Sequence, residues 1–107
     1  MAGDMQRREV NAQVIEAYLR EEFSEGGLRA VRQPPRTWTS FAVDLSGGSL
    51  HCSFSRDFLD HDPTWIHEKL CAYGLAGAMR QAGPDTIILV RSDGISQHSR
   101  MAILPPA

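Results

Sequence analysis

The sequence predicts a single α+β domain, and three patterns carry that expectation. Val10, Val14, Ile15, Tyr18, Leu19 and Phe23 recur at helical spacing and form one apolar stripe. Phe41, Val43 and Leu45, then Leu50, Cys52 and Phe54, alternate with polar or small residues on either side of a Gly-Gly turn, the signature of a β-hairpin. Finally, a helical pattern opened by Asp62-Pro63 and closed by Gly83-Pro84 is followed by the apolar run Thr86-Ile87-Ile88-Leu89-Val90. The predicted order is α-β-β-β-α-β.

The first helix ends at Ser24-Glu25-Gly26-Gly27, where a glycine is available for a left-handed cap. Glu16 and Arg20 are spaced for an i,i+4 ion pair on its wet side. Residues 28–33 form a short candidate strand, stopped by Pro34-Pro35 because proline gives no donor to a ladder. Residues 37–45 and 50–55 are the hairpin strands, and residues 55–60 suit a short helical turn. In the following helix, Asp62 is placed to cap and Pro63 suits the first position. Ile66, Leu70, Cys71, Gly74, Leu75, Ala78 and Met79 mark its apolar side, and Gly74, Ala76, Gly77 and Ala78 would let it lie close to a sheet. The run 86–90 reads as a central strand. Arg91-Ser92-Asp93-Gly94 is a turn, residues 97–100 read as polar and mobile, and 101–104 leave room for a fifth strand.

Three consecutive strands predict an antiparallel meander. A right-handed crossover helix then places the fourth strand parallel to the first, in the order 3-2-1-4, with helices on one face. The whole of 1–107 is read as one domain, with 1–8 and 96–107 flexible or peripheral. The first prediction for packing is that Phe41, Val43, Leu45, Leu50, Cys52 and Phe54 share a core with Ile66, Leu70, Ile88 and Val90.

Composition narrows the functional classes. A chain of 107 residues with a formal charge of -2 has room for one modest core. No apolar run approaches the length that spans a bilayer, and the polar start of the chain carries no signal-peptide pattern, so a cytoplasmic protein without a membrane partner is expected. Cys52 and Cys71 make no disulfide framework and are expected to be reduced. Ten of the eleven basic residues are arginine, which suits planar anions but follows more readily from a genome biased toward GC-rich Arg codons. The acidic balance disfavours a general nucleic-acid binder.

Five constellations hold residue types suited to chemistry. Cys52, His61, His67 and Cys71 are metal-ligand types, but they lack the paired spacing of a zinc site, so no metal is expected. His51 and Cys52 are strand neighbours that point to opposite faces, and His67 with Cys71 has no third orienting group, so no cysteine nucleophile is expected. Asp57, Asp60 and Asp62 could serve acid chemistry or Mg²⁺, although a cap and a solvated turn explain them. The predicted order is similar to that of the RNase H-like core, but Asp44 and Asp93 make no catalytic carboxylate set, and no nuclease is inferred. Arg29, Arg32 and Arg36 with Trp38 could bind phosphate and stack a base. The α-β-β-β-α order also resembles a double-stranded-RNA-binding domain, yet the second helix begins Asp62-Pro63-Thr64-Trp65 rather than with basic residues. Trp38 and Trp65 lie near segment boundaries, as interface anchors do. No glycine pattern matches a phosphate loop or a dinucleotide fingerprint, so no cofactor is expected.

The expected function is therefore a non-enzymatic protein-binding module, an adaptor, inhibitor or chaperone-like accessory factor able to form homo-oligomers. Its expected binding residues are Arg32, Arg36, Trp38 and Trp65. The runner-up is a nucleic-acid-binding regulator using the Arg/Trp surface, and the third reading is a small hydrolase using the 57–62 segment.

Overall fold

Eight elements fall in the order α1 (Ala2–Glu22), β1 (Gly27–Val31), β2 (Thr39–Leu45), β3 (Gly48–Phe54), α2 (Arg56–Leu59), then α3 (Pro63–Tyr73), α4 (Leu75–Ala82), β4 (Thr86–Arg91), with β5 (Gly94–Ser99) making a ninth. The computed structural model describes residues 2–31 and 38–99. Five strands form one mixed sheet in the order β1-β2-β3-β4-β5, so the α+β expectation holds.

The strand order differs from the expected 3-2-1-4. β4 runs parallel to β3, with His51 opposite Ile87 and Phe54 opposite Val90, and not beside β1. Sequential elements favour neighbouring positions, and β3 offers the nearest open edge to a chain returning over the helical layer. β3 is also buried from Leu50 to Phe54, as a strand flanked on both sides must be.

One cluster joins the helices to the sheet. Phe41, Val43, Leu50, Cys52, Phe54, Ile88 and Val90 meet Ile66 and Leu70, with Leu45 packed partly buried against them. That is the expected core. Ile15, Tyr18, Leu19 and Phe23 of α1 and its exit join the same cluster. Val10 does not: it is 45% exposed. Asn11 is buried in its place, where its Nδ2 donates at 2.7 Å to the carbonyls of Leu59 and His61. It thereby satisfies acceptors that the short helix α2 leaves open. Glu16 and Arg20 do not form the expected ion pair; the three among the described residues lie elsewhere.

Glycine explains three further differences. Gly26 and Gly27 are not left-handed caps. Gly26 instead permits close approach, since a Cβ there would stand 2.8 Å from the Asp44 carbonyl oxygen. The expected single helix after Asp62 is two helices, because Gly74 takes φ 61° and ψ 46° and closes α3. Gly74 and Gly77 would meet nothing if given a Cβ, so neither serves close packing on the sheet. Asp62 does occupy the N-cap with Pro63 after it, but its side chain accepts no capping bond.

Residues expected to be flexible or peripheral at 2–8 are helical, and 96–99 lie in β5, an edge strand paired with β4 from Thr86–Ser99 to Arg91–Gly94. The fifth strand is thus formed by a segment expected to be mobile; residues 101–104, where it was expected, lie outside the described residues. Among the described residues, no helix is long and apolar enough to cross a membrane.

Candidate functional site

The carboxyl ends of the parallel strands β3 and β4 carry a linked set of polar and aromatic contacts. In open sheets with parallel strands, ligands characteristically sit at such ends. Here the β3 end runs directly into Ser55, which caps α2 by accepting from the Phe58 N–H. The β4 end runs into the Ser92-Asp93 turn.

Ser92 is tied on the helical side. Its hydroxyl donates to Asp57 Oδ2 at 2.7 Å, and His61 Nε2 lies 3.1 Å from the same oxygen. A hydroxyl has one proton to give. With that proton directed to Asp57, the contact from His61 requires an N–H on Nε2, an assignment made from the hydrogen-bond network. Bonds from Ser92 and then Ser55 hold the Asp57 carboxyl below the usual carboxylate range. Tyr73 completes the clamp, sharing its one hydroxyl proton between the Ser92 carbonyl at 3.1 Å and the Arg91 carbonyl at 3.4 Å. Burial first, and then the charge of Asp93, push its phenol pKa up, so it remains a donor.

Chemically, the order Asp57–Ser92–His61 is not that of a nucleophile triad. A triad puts the imidazole between hydroxyl and carboxylate so that it can take the hydroxyl proton. Here serine stands in the middle and His61 donates to it. The geometry clamps the turn.

Two tryptophans flank this end. Trp65, on the first turns of α3, is half-buried; its ring stacks on His61 at 3.6 Å and packs against Phe58 at 5.3 Å. Lys69 Nζ lies 5.6 Å from the same ring. Trp38 immediately precedes β2, whose first residue Thr39 pairs with Phe54. Trp38 is also half-buried, and the Arg91 guanidinium carbon stands 5.3 Å from its ring. The two tryptophans thus reach the same end of the sheet through consecutive residues, Arg91 and Ser92.

No family model, curated protein or solved structure matches this chain.

Of the four expected binding residues, Trp38 and Trp65 come together at one end. Arg32 and Arg36 lie outside the described residues. Arg29, grouped with them in sequence, is engaged by Asp44 at 2.8 Å; bonds from Arg29 and Ser49 hold that carboxyl low. Asp57 joins the Ser92 clamp, Asp60 pairs with Arg8 at 3.1 Å, and Asp62 stays exposed, so the three do not converge. Cys52 is in the core, where burial pushes its thiol pKa up. Cys71, expected on the core face, is exposed, because α3 buries only the i,i+4 line of Ile66 and Leu70 and Cys71 lies about 100° of helix rotation away from it. Among the described residues, no group of three His, Cys, Asp or Glu is placed to hold a metal.

Sequence reading missed Arg91, Ser92, His61 and Tyr73 as partners. They stand 18 to 35 residues from the groups they meet in this clamp. The one local signal was the polar turn directly following the apolar run of β4. A shallow concavity of about 480 Å³ lies at the opposite end, between Leu45, Gly48, Leu50 and Pro84. Its rim residue Arg80 is committed to Glu25 and to the Glu22 carbonyl.

Proposed function

We propose that this protein is a small non-enzymatic protein-binding module of the cytoplasm whose contact surface is the sheet end around Trp38, Arg91, Trp65 and Lys69. The observation that carries the reading is the presence of two half-buried tryptophans, each with a cation beside its ring, at one end of the sheet, Trp38 on its open face and Trp65 on its helical side. Large rigid rings gain contact area at small entropic cost, and Trp and Arg dominate binding hot spots. The Ser92 clamp supports the same reading, because a preorganised surface loses less freedom on association.

The test is quantitative capture of partners from the native cell by wild type, Trp38→Ala, Trp65→Ala and an Arg20→Ala control. Thermal midpoints and sedimentation are measured on each. Loss of a captured protein, or of self-association, in the tryptophan variants alone, at retained midpoint, supports the proposal. Equal capture by all four proteins removes it. Oligonucleotide binding with a steep salt dependence would favour the nucleic-acid regulator instead.

A further inference from the structure

The two faces at this sheet end carry different groups. Ser92, Asp57, His61 and Tyr73 are linked on the helical side. Arg91 belongs to the other face: Val90 packs into the helical core, and successive strand residues point to opposite sides. Trp38 occupies the same side, since Thr39 pairs with Phe54, which faces that core.

Arg91 is exposed, and its guanidinium meets the Trp38 ring but no carboxylate among the described residues. Arg8, Arg29 and Arg80 each have an acidic partner. Arg7, Arg20 and Arg56 also lack one, but none of the three rests on a ring, and Arg7 donates to the Asp60 carbonyl. Contact with an aromatic face restrains a guanidinium while leaving its N–H donors for a second partner. Of the carboxylates near this turn, Asp57 is committed to Ser92 on the far side, and Asp93 forms no ion pair with Arg91.

We propose that Arg91, held on Trp38, is a carboxylate receptor, and that the partner presents an acidic peptide segment to it. This deepens the protein-binding reading and rests on it. The guanidinium takes one carboxylate through paired N–H bonds, and the indole beneath it excludes water from one side. Recognition is then by charge and planarity, and it weakens with salt.

The probe is an end-capped tetraglutamate peptide, with tetraglutamine as its control. In the Trp65→Phe variant Trp38 is the sole indole, so its emission reports the site. We expect a saturable change with a dissociation constant below about 1 mM at low salt. Adding Arg91→Gln weakens it by about tenfold or more, whereas adding Arg20→Gln leaves it unchanged. The same titration, followed on the Arg91 Nε–H and Trp38 Nε1–H resonances of the wild-type protein, needs no variant. No response, an equal response to tetraglutamine, or an equal response with Arg91→Gln overturns the inference. If Trp38→Ala still abolishes partner capture while tetraglutamate gives no Arg91-dependent response, protein binding stands and the carboxylate receptor falls.

Discussion

The two tight hairpins of the sheet have the same local design and opposite surroundings. In β2–β3, Leu45 pairs with Gly48 across the two residues Ser46 and Gly47; in β4–β5, Arg91 pairs with Gly94 across Ser92 and Asp93. Each loop is followed by a glycine at positive φ, 133° at Gly48 and 149° at Gly94. Yet both strands of the first hairpin lie inside the sheet, whereas β5 is an edge whose last residues, Gln97 to Ser99, are exposed. Turn chemistry makes a hairpin; burial determines how much stability depends on it. It also explains why the first hairpin shows apolar alternation and the second does not.

The largest expected effect separates their side chains. Phe41→Ala removes a ring packed edge-on against Phe54 in the buried hairpin, and should cost about 3–5 kcal/mol. Ile95→Ala, at a half-buried site in the other hairpin, should cost about 1–2 kcal/mol. Urea unfolding of both variants checks this, and equal costs would break the contrast.

The turn glycines come next. Alanine at Gly48 or Gly94 is strained by the positive φ, at about 1–3 kcal/mol each. At Gly48 the added Cβ also stands 3.2 Å from Pro84 Cβ, whereas at Gly94 it meets nothing. Gly48→Ala should therefore have the lower unfolding midpoint of the two. The reverse order would mean that the edge hairpin is the more tightly constrained.

Ser92→Ala probes the clamp on the second hairpin, with an expected cost of about 0.5–1.5 kcal/mol. Its clearer signature is in pH. Asp57 has a lower pKa folded than unfolded, so its contribution is fully present above the ordinary carboxylate range and is lost as pH falls through the folded value. In Ser92→Ala that loss on the acid side should shrink, as read by thermal midpoints from neutral to acid pH. An unchanged acid limb would show that Ser92 does not hold the carboxylate.

The smallest effect is on thiol labelling, which perturbs no contact beforehand. Cys71 should react with a disulfide reagent in the native protein, and Cys52 only on unfolding, because it is buried in β3 and its thiol is held protonated. Native labelling of Cys52 would show that the central hairpin opens.

Much of the fold could be read in the residues, because the signals are local. The stripe at Ile15, Tyr18 and Leu19, the alternation through Phe41 to Phe54, and the Asp62-Pro63 start each depend on neighbours within a turn or a pleat. Three features could not be read in this way. Gly74 fits a helix interior by spacing alone, and only its adopted left-handed backbone shows that it divides α3 from α4. The partner of β4 depended on which sheet edge the returning chain met, a choice between two nearly equivalent ladders. The clamp at Ser92 joins residues up to 35 positions apart.

Local pattern encodes the α+β class, most of the core and the first hairpin, because hydrophobic periodicity and turn preference act over a few residues; it misplaces Val10 and Cys71, which are exposed. Tertiary structure alone decided the parallel β3–β4 pairing, the polar edge strand β5 and the meeting of Trp38 with Arg91. Those depend on which surfaces remain open after the helices cover one face of the sheet, and no local pattern encodes that.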